Sequence, residues 1–385
     1  MGQPPPKFYN SASSPIYDGD PGHLFFAWLN VNNLRSFPSF KMIRYSFLDD
    51  YSEGAHPRVL DALTATNLTQ QTPYGDDEYS TRAKEYLRDQ TGVPTSSIHL
   101  VGGGTLANII SIGNCLRPHE AVIAPDSGHI VVRETGAIEA IGHKLITVTP
   151  SNGKLTAESI QKALDKNAHF PHMAKPRLVY ISNATELGTI YSKAELAKIA
   201  DLCKKRDLLL FLDGARLGAA LAAANNDLTL PDIAALTDIF WIGGTKVGAL
   251  LGEAIVISNQ SLATDFAFHI KQRGGLLAKG RVLGVQLLEL FRSNLFFELS
   301  SHANQMAQLL SLGISEAGYK FAASTETNQV FPILPNTLIA RLEEEFAFYV
   351  WEQITSDKSV VRLVTSWATD QKHVVSFLHR VKSWT

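Results

Sequence analysis

Lys246 stands in an unusual place for a lysine, in the turn of DIFWIGGTKVGALL, with Trp241, Ile242, Val247, Ala249, Leu250 and Leu251 around it. A primary amine in such surroundings loses hydration and its pKa falls, which suits it to attack a carbonyl carbon and form a Schiff base. The alternative is a turn lysine whose head reaches water over an apolar edge. Asp213 closes a second apolar run, LLLFL. A carboxylate at the end of a strand buried on both faces must find a cation or several donors. Arg216 is the nearby cation, and the two make either a structural pair or a site where Asp213 faces the ring nitrogen of a pyridine cofactor and keeps it protonated.

Other residues point the same way. IHLVGGGTLAN sets a strand, a glycine turn at Gly102, Gly103 and Gly104, and a helix start in sequence, so free backbone N–H groups can gather around a phosphate. The glycines lack dinucleotide-motif spacing. His129 opens a helix expected over about 130–141; it caps that helix or lies flat over an aromatic cofactor, with Glu134 orienting it or facing water. Lys279 and Arg281 are either solvated loop charges or contacts to a phosphate or carboxylate, in this subunit or a neighbour. Arg362, inside the apolar run VVRLV, needs an anion such as a substrate carboxylate. Asp50, Tyr51 and Ser52 form an acidic turn that is solvated or lines a ligand site. Together, an anion turn, a stacking residue, an acid for a ring nitrogen and a desolvated lysine describe a pyridoxal 5'-phosphate site better than any one alone.

The elements that hold these residues read as α/β. Asp213 and Lys246 both follow strand-like runs, and ligand sites of open α/β sheets lie outside the carboxyl ends of their strands. Residues 1–41 read as an irregular Pro- and Ser-rich arm, and the pattern predicts a large domain over residues 42–281 and a small α+β domain over residues 282–385. Within the last, NQVFPIL, LIARLEEEFAFYVWEQI, VVRLVTSW and DQKHVVSFLHRVKSW predict strand, helix, strand and helix. STRAKEYLRDQTG predicts an amphipathic helix with Ser80 as its N-cap. The chain has 385 residues, 45% of them hydrophobic, and a net charge of -2, so it offers no basic field for nucleic acid or anionic lipid. LFFAWL at 24–29 is too short to span a membrane. Cys115 and Cys203 lack metal-site spacing, no metal is expected, and a cytoplasmic enzyme acting on small molecules follows.

From about Ile43 onward, DDYSEGAHP, GGGTLAN, SGHIVVRETGAIEAIGHK, NATELGTIY, LDGARL, IGGTKVGALLGEA and VVRLVTSWAT, in that order, resemble the L-threonine aldolase and β-eliminating lyase family of fold-type I pyridoxal phosphate enzymes. The resemblance implies a large domain with a mostly parallel seven-stranded sheet, a small C-terminal α+β domain, and a homodimer or homotetramer whose active sites are completed across the dimer interface. It implies that Lys246 binds the cofactor covalently and that Asp213 meets the pyridinium nitrogen. Arg216 would steady the cofactor hydroxyl or substrate carboxylate, and Gly104 and Thr105 would hold the phosphate. His129 would stack on the ring and assist proton transfer, and Arg362 would grip the substrate carboxylate. Lys279 or Arg281 resembles the partner subunit's phosphate contact, and Asp50 and Ser52 fall in the substrate-side turn. Val247 and Asp49 stand where asparagine is common, and Thr185 where another branch has histidine. The implied reaction is retro-aldol cleavage of L-threonine, L-allo-threonine or a related β-hydroxy-α-amino acid to glycine and an aldehyde, with the hydroxyl proton passing to His129 directly or through water. β-Elimination, a specialised biosynthetic aldol addition, or an inactive paralogue are the alternatives.

Overall fold

The computed structural model describes residues 44–384, so the expected arm over 1–41 lies outside the described residues. After β1 (Tyr45–Ser46), the apolar runs become a seven-stranded sheet. Its strands are β2 (Ser97–Val101), β3 (Glu120–Pro125), β4 (Lys144–Val148), β5 (Lys175–Ser182), β6 (Leu209–Asp213), β7 (Ile239–Gly243) and β8 (Glu253–Ile257), in the order β2-β8-β7-β6-β5-β3-β4. Only β8 runs against its neighbours; the pairs among β3, β4, β5, β6 and β7 are parallel. Ile181, Leu212, Phe240 and Ile242 face one apolar core, whereas Tyr180, Phe211, Ile239 and Trp241 face the other. Burial on both faces is why these segments read as unbroken apolar runs. Truncating fully buried Phe211 to alanine costs about 3–5 kcal/mol.

Local chemistry sets the flanking helices. Lys193–Lys205 and Ala157–Lys166 each begin with a reciprocal capping box, Ser192 with Glu195 and Thr156 with Ser159. Two expectations are corrected. The helix Glu78–Thr91 is capped three residues before the predicted cap, because Asp77 accepts from both the N–H and the hydroxyl of Ser80, at 2.8 and 2.7 Å. Ser80 is therefore a buried residue of the first turn. The helix expected over 130–141 is two short pieces, His129–Val132 and Ala137–Ala140, interrupted where Thr135 and Gly136 adopt φ values of 53° and 71°. Left-handed backbone cannot continue an α-helix.

The C-terminal region has an antiparallel sheet of β9 (Lys320–Phe321), β10 (Gln329–Val330), β11 (Pro332–Pro335), β13 (Tyr349–Gln353) and β14 (Lys358–Val364), with β14 pairing β10, β11 and β13. β12 (Phe346–Ala347) pairs with β1 instead. Here the predicted helix over LIARLEEEFAFYVWEQI is half right. Helix Asn336–Leu342 ends before the three glutamates, and the aromatic and β-branched segment after them becomes strands. The two cores divide inside the helix Leu295–Glu316 and not at 281–282. Leu287, Phe296 and Leu299 pack with the large sheet, and Met306, Leu310 and Ile314 pack with the small one. Phe47 joins the small core from the other end of the chain. Among the described residues, no helix is long and apolar enough to cross a membrane.

Candidate active site

The carboxyl ends of β6 and β7 open into a cavity of about 560 Å³. β6 delivers Asp213 as its last residue, and β7 runs through Gly244 into the 3₁₀ turn Thr245–Val247 that carries Lys246. On the facing wall, β2 leads into the helix Gly104–Cys115. A Cβ on Gly104 would stand 2.8 Å from the Trp241 ring, so only glycine lets the helix start approach this closely. The first N–H groups of that helix have no intrahelical partner and present donors at an apolar, aromatic wall.

Among the described residues, Asp213 is fixed by three donors and no cation. Its Oδ2 accepts from the Tyr180 hydroxyl at 2.7 Å and from Asn108 Nδ2 at 3.0 Å, and its Oδ1 accepts from the Ala215 N–H at 2.9 Å. Asn108 also donates to Glu134 Oε1 at 2.7 Å and accepts from Trp241 Nε1 at 3.1 Å. Glu134 in turn holds His129 Nδ1 at 2.7 Å. One hydrogen-bonded chain thus runs from the imidazole on one wall to the strand-end carboxylate. The expected Asp213–Arg216 pair does not form. Arg216 binds Asp50 instead, through Nε at 2.7 Å and Nη2 at 3.0 Å, and Asn328 adds a third donor to Asp50 at 2.9 Å.

These contacts set the electrostatics. Burial and the neighbouring Arg216 push the Lys246 ammonium below the ordinary lysine range, with Asp50, Asp213 and Glu186 opposing. Burial alone would raise the Asp50 carboxyl, but Arg216 and Lys246, with the hydrogen bonds from Arg216 and Asn328, hold it at about 2. Burial lowers His129, but its bond to Glu134 and the charges of Glu186 and Asp213 outweigh that and leave it raised. Glu253 faces Lys246 from β8. Its carboxyl accepts from the Gly244 N–H at 2.9 Å and from Thr245 Oγ1 at 2.6 Å, yet burial pushes it up to about 7.

Of the residues singled out from sequence, Gly104, Thr105, His129, Asp213, Arg216, Lys246 and Arg362 border this cavity. Asp50 sits behind Arg216, and Ser52 is exposed, its hydroxyl donating to the Asp49 carbonyl at 3.4 Å. Lys279 is exposed and is not among the cavity residues of this chain. Arg281 is tied to the carbonyls of Thr66 and Thr69. Val247 packs in the apolar core, and Thr185 is buried against Thr189 while its neighbour Glu186 lines the cavity. Asn108, Tyr180, Glu253, Glu186 and Trp351 went unread. A signal existed for three of them, because Tyr180, Asn108 and Glu253 are polar residues in otherwise apolar runs.

The outer edge comes from the small sheet. Among the described residues, Arg362 reaches only a neutral acceptor, Gln329 Oε1, at 3.1 and 2.9 Å. Its guanidinium lies 5.3 Å from the Trp351 ring centre and 5.9 Å from that of Tyr349. Neighbouring strand residues ordinarily point to opposite faces, yet Tyr349, Val350 and Trp351 all line the cavity. A register shift between Val350 and Glu352 against β14 accompanies this, as a bulge re-aims side chains.

These residues fit pyridoxal phosphate. An amine with a depressed pKa, a carboxylate held by neutral donors for a ring nitrogen, a glycine-only helix start for a phosphate and a flat imidazole share one cavity. Glu134 Oε2 lies buried behind the imidazole without a hydrogen-bond partner among the described residues, an unsatisfied polar atom at the edge of this site.

Comparison with known proteins agrees with that chemistry. The beta-eliminating lyase family profile matches residues 48–336. The low specificity L-threonine aldolase of Pseudomonas aeruginosa is 32% identical over 332 residues, 85% of this chain and 94% of that protein. The structure of threonine aldolase from Leishmania major superposes with a TM-score of 0.87 at 47% identity, covering 88% of this chain and 99% of that one. A Thermus thermophilus aspartate aminotransferase shares the fold, with a TM-score of 0.67 at 16% identity over 89% of this chain and 92% of that one.

Proposed function

The chain belongs to the beta-eliminating lyase family, and from that membership we propose that it cleaves L-threonine, L-allo-threonine or a related β-hydroxy-α-amino acid to glycine and an aldehyde. It is a pyridoxal-phosphate-dependent carbon–carbon lyase of the α/β fold-type I class. The observation that carries the reading is the pairing, in one cavity, of the depressed Lys246 amine with the triply held Asp213 carboxylate. Bound pyridoxal phosphate supplies an electron sink for the pair left on Cα when the Cα–Cβ bond breaks.

The roles proposed for the chain's own groups are those the resemblance implies, and their surroundings support them. Lys246 is the amine of attachment, and its lowered pKa keeps a larger share of it unprotonated. Asp213 holds the proton on the ring nitrogen, and Tyr180, Asn108 and Ala215 keep its oxygens aimed. Gly104 and Thr105 receive the phosphate at the helix start, and His129 covers one ring face. Arg216, clamped by Asp50, steadies the cofactor hydroxyl or the substrate carboxylate. Arg362 takes the substrate carboxylate, because a neutral glutamine leaves its charge unmet. Lys279, exposed on its own chain, reaches the phosphate of a second copy, which makes the working unit a homodimer or homotetramer. Ser52 belongs to the substrate-side turn. Two cysteines without a disulfide suit the cytoplasm.

The test is an absorption spectrum of the protein with added pyridoxal phosphate, before and after glycine, beside product analysis with L-threonine. The expected result is a visible band that glycine shifts, with glycine and acetaldehyde as products. Lys246→Ala loses the band and on the order of a thousandfold or more in turnover. Full turnover in that variant would end the covalent role, and ammonia with a keto acid as products would redirect the reading to elimination.

A further inference from the structure

Five carboxylates border the cavity: Asp49, Glu134, Glu186, Asp213 and Glu253. Four are engaged. Glu134 is held by Asn108 and His129, Asp213 by its three donors, Glu253 by Gly244 and Thr245, and Asp49 by the Tyr51 hydroxyl. Glu186 alone among these described side chains has neither a hydrogen bond nor an ion pair.

Its backbone, by contrast, is fixed. Glu186 sits at the tip of a tight turn in which the Gly188 N–H donates to the Thr185 carbonyl at 2.9 Å and the Thr185 N–H to the Thr189 carbonyl at 2.9 Å. The small sheet clamps this turn, with Gln329 Nε2 donating to the Thr185 carbonyl at 3.3 Å and Thr327 Oγ1 to the Gly188 carbonyl at 2.7 Å. A rigid loop therefore holds one free, acceptor-only group at the cavity wall. The charge of that group acts on His129, Arg216, Lys246 and Arg362, so it stands among the residues that handle the substrate.

We propose that Glu186 is the catalytic base that accepts the Cβ-hydroxyl proton as the Cα–Cβ bond breaks. The proposal rests on the retro-aldol reading above. With the substrate carboxylate at Arg362 and its amino group at the Lys246 end, the hydroxyl needs an acceptor that is not already committed. His129 is committed to Glu134, and its raised pKa leaves more of the ring already protonated, with no lone pair to take a further proton. In the step, a Glu186 oxygen takes the hydroxyl proton and the O–H pair becomes the second bond of the aldehyde carbonyl. The Cα–Cβ pair stays on Cα. In the reverse direction, Glu186 returns the proton to the forming alkoxide. Protonation of Cα to give glycine does not pass through this group.

The experiment compares Glu186→Gln and Glu186→Asp with wild-type holoenzyme in two reactions: cleavage of L-threonine, and exchange of the glycine α-hydrogen in D2O followed by NMR. Exchange needs the cofactor and Cα chemistry but no hydroxyl base. Glu186→Gln is expected to lose about a hundredfold or more in cleavage, while exchange stays within about threefold of wild type and the cofactor band is retained. Glu186→Asp is expected to recover part of the cleavage. Cleavage by Glu186→Gln at more than about a third of the wild-type rate overturns the proposal, as does an equal fall in cleavage and exchange, which assigns the residue to positioning. If wild type exchanges glycine but cleaves no β-hydroxy amino acid, the retro-aldol reading itself fails and takes this proposal with it.

Discussion

The floor and the rim of the cavity are built on different terms. At the floor, Asp213 and Glu134 are tied through Asn108, and Glu253 is closed off by Gly244 and Thr245. At the rim, Arg362 has one neutral partner among the described residues and otherwise lies beside aromatic rings, and Arg133 rests 5.4 Å over the Trp351 ring. A bonded carboxylate network in a low-dielectric setting has little freedom to move, which suits groups that must act on charge as it develops. An arginine with unmet donors beside rings holds its anion while leaving room for varied side chains. The floor should therefore govern rate and the rim binding.

The largest test of that division is Asp213→Asn. We expect kcat for threonine cleavage to fall by about 10²- to 10³-fold with KM nearly unchanged, as read by steady-state kinetics; a change carried by KM would break the comparison. Next is Glu253, whose burial should destabilise the charged form. Its carboxyl goes from 4.5 to about 7 on folding. Between those values the folded protein binds the extra proton, so the contribution of this group to stability falls as pH rises through that window. Urea unfolding should show wild type losing about 3 kcal/mol relative to Glu253→Gln between pH 4.5 and pH 7.5, and parallel pH profiles would remove Glu253 from the account. The smallest effect is expected for Arg362→Lys, with KM for threonine up by about tenfold and kcat changed less. A fall in kcat alone would place Arg362 with the floor.

The floor was also more legible in the sequence than the rim. Strand ends after apolar runs announce themselves, and Lys246, Asp213 and the glycine turn each lie within one local pattern. Long-range partners do not. Arg216 meets a carboxylate 166 positions away, while the acid three residues before it turns to Tyr180 and Asn108. Ser80 looked like a cap because a serine preceded a periodic run, and only the double bond to Asp77 shows otherwise. At the rim, Tyr349, Val350 and Trp351 followed a helix-forming stretch closely enough to be absorbed into it. Pairing with β14, which no local pattern carries, makes them a strand.

The irregularity in β13 bears on how such an enzyme diversifies. A strand with strict alternation would offer every second side chain to the substrate, whereas the shifted register between Val350 and Glu352 brings three consecutive residues to one opening. Gaining or losing a single residue there exchanges the whole set at once, and it does so on a piece of chain that carries none of the floor network. Inheritance can therefore revise which substrates enter in one genetic event while the groups at the strand ends, encoded elsewhere, stay as they are.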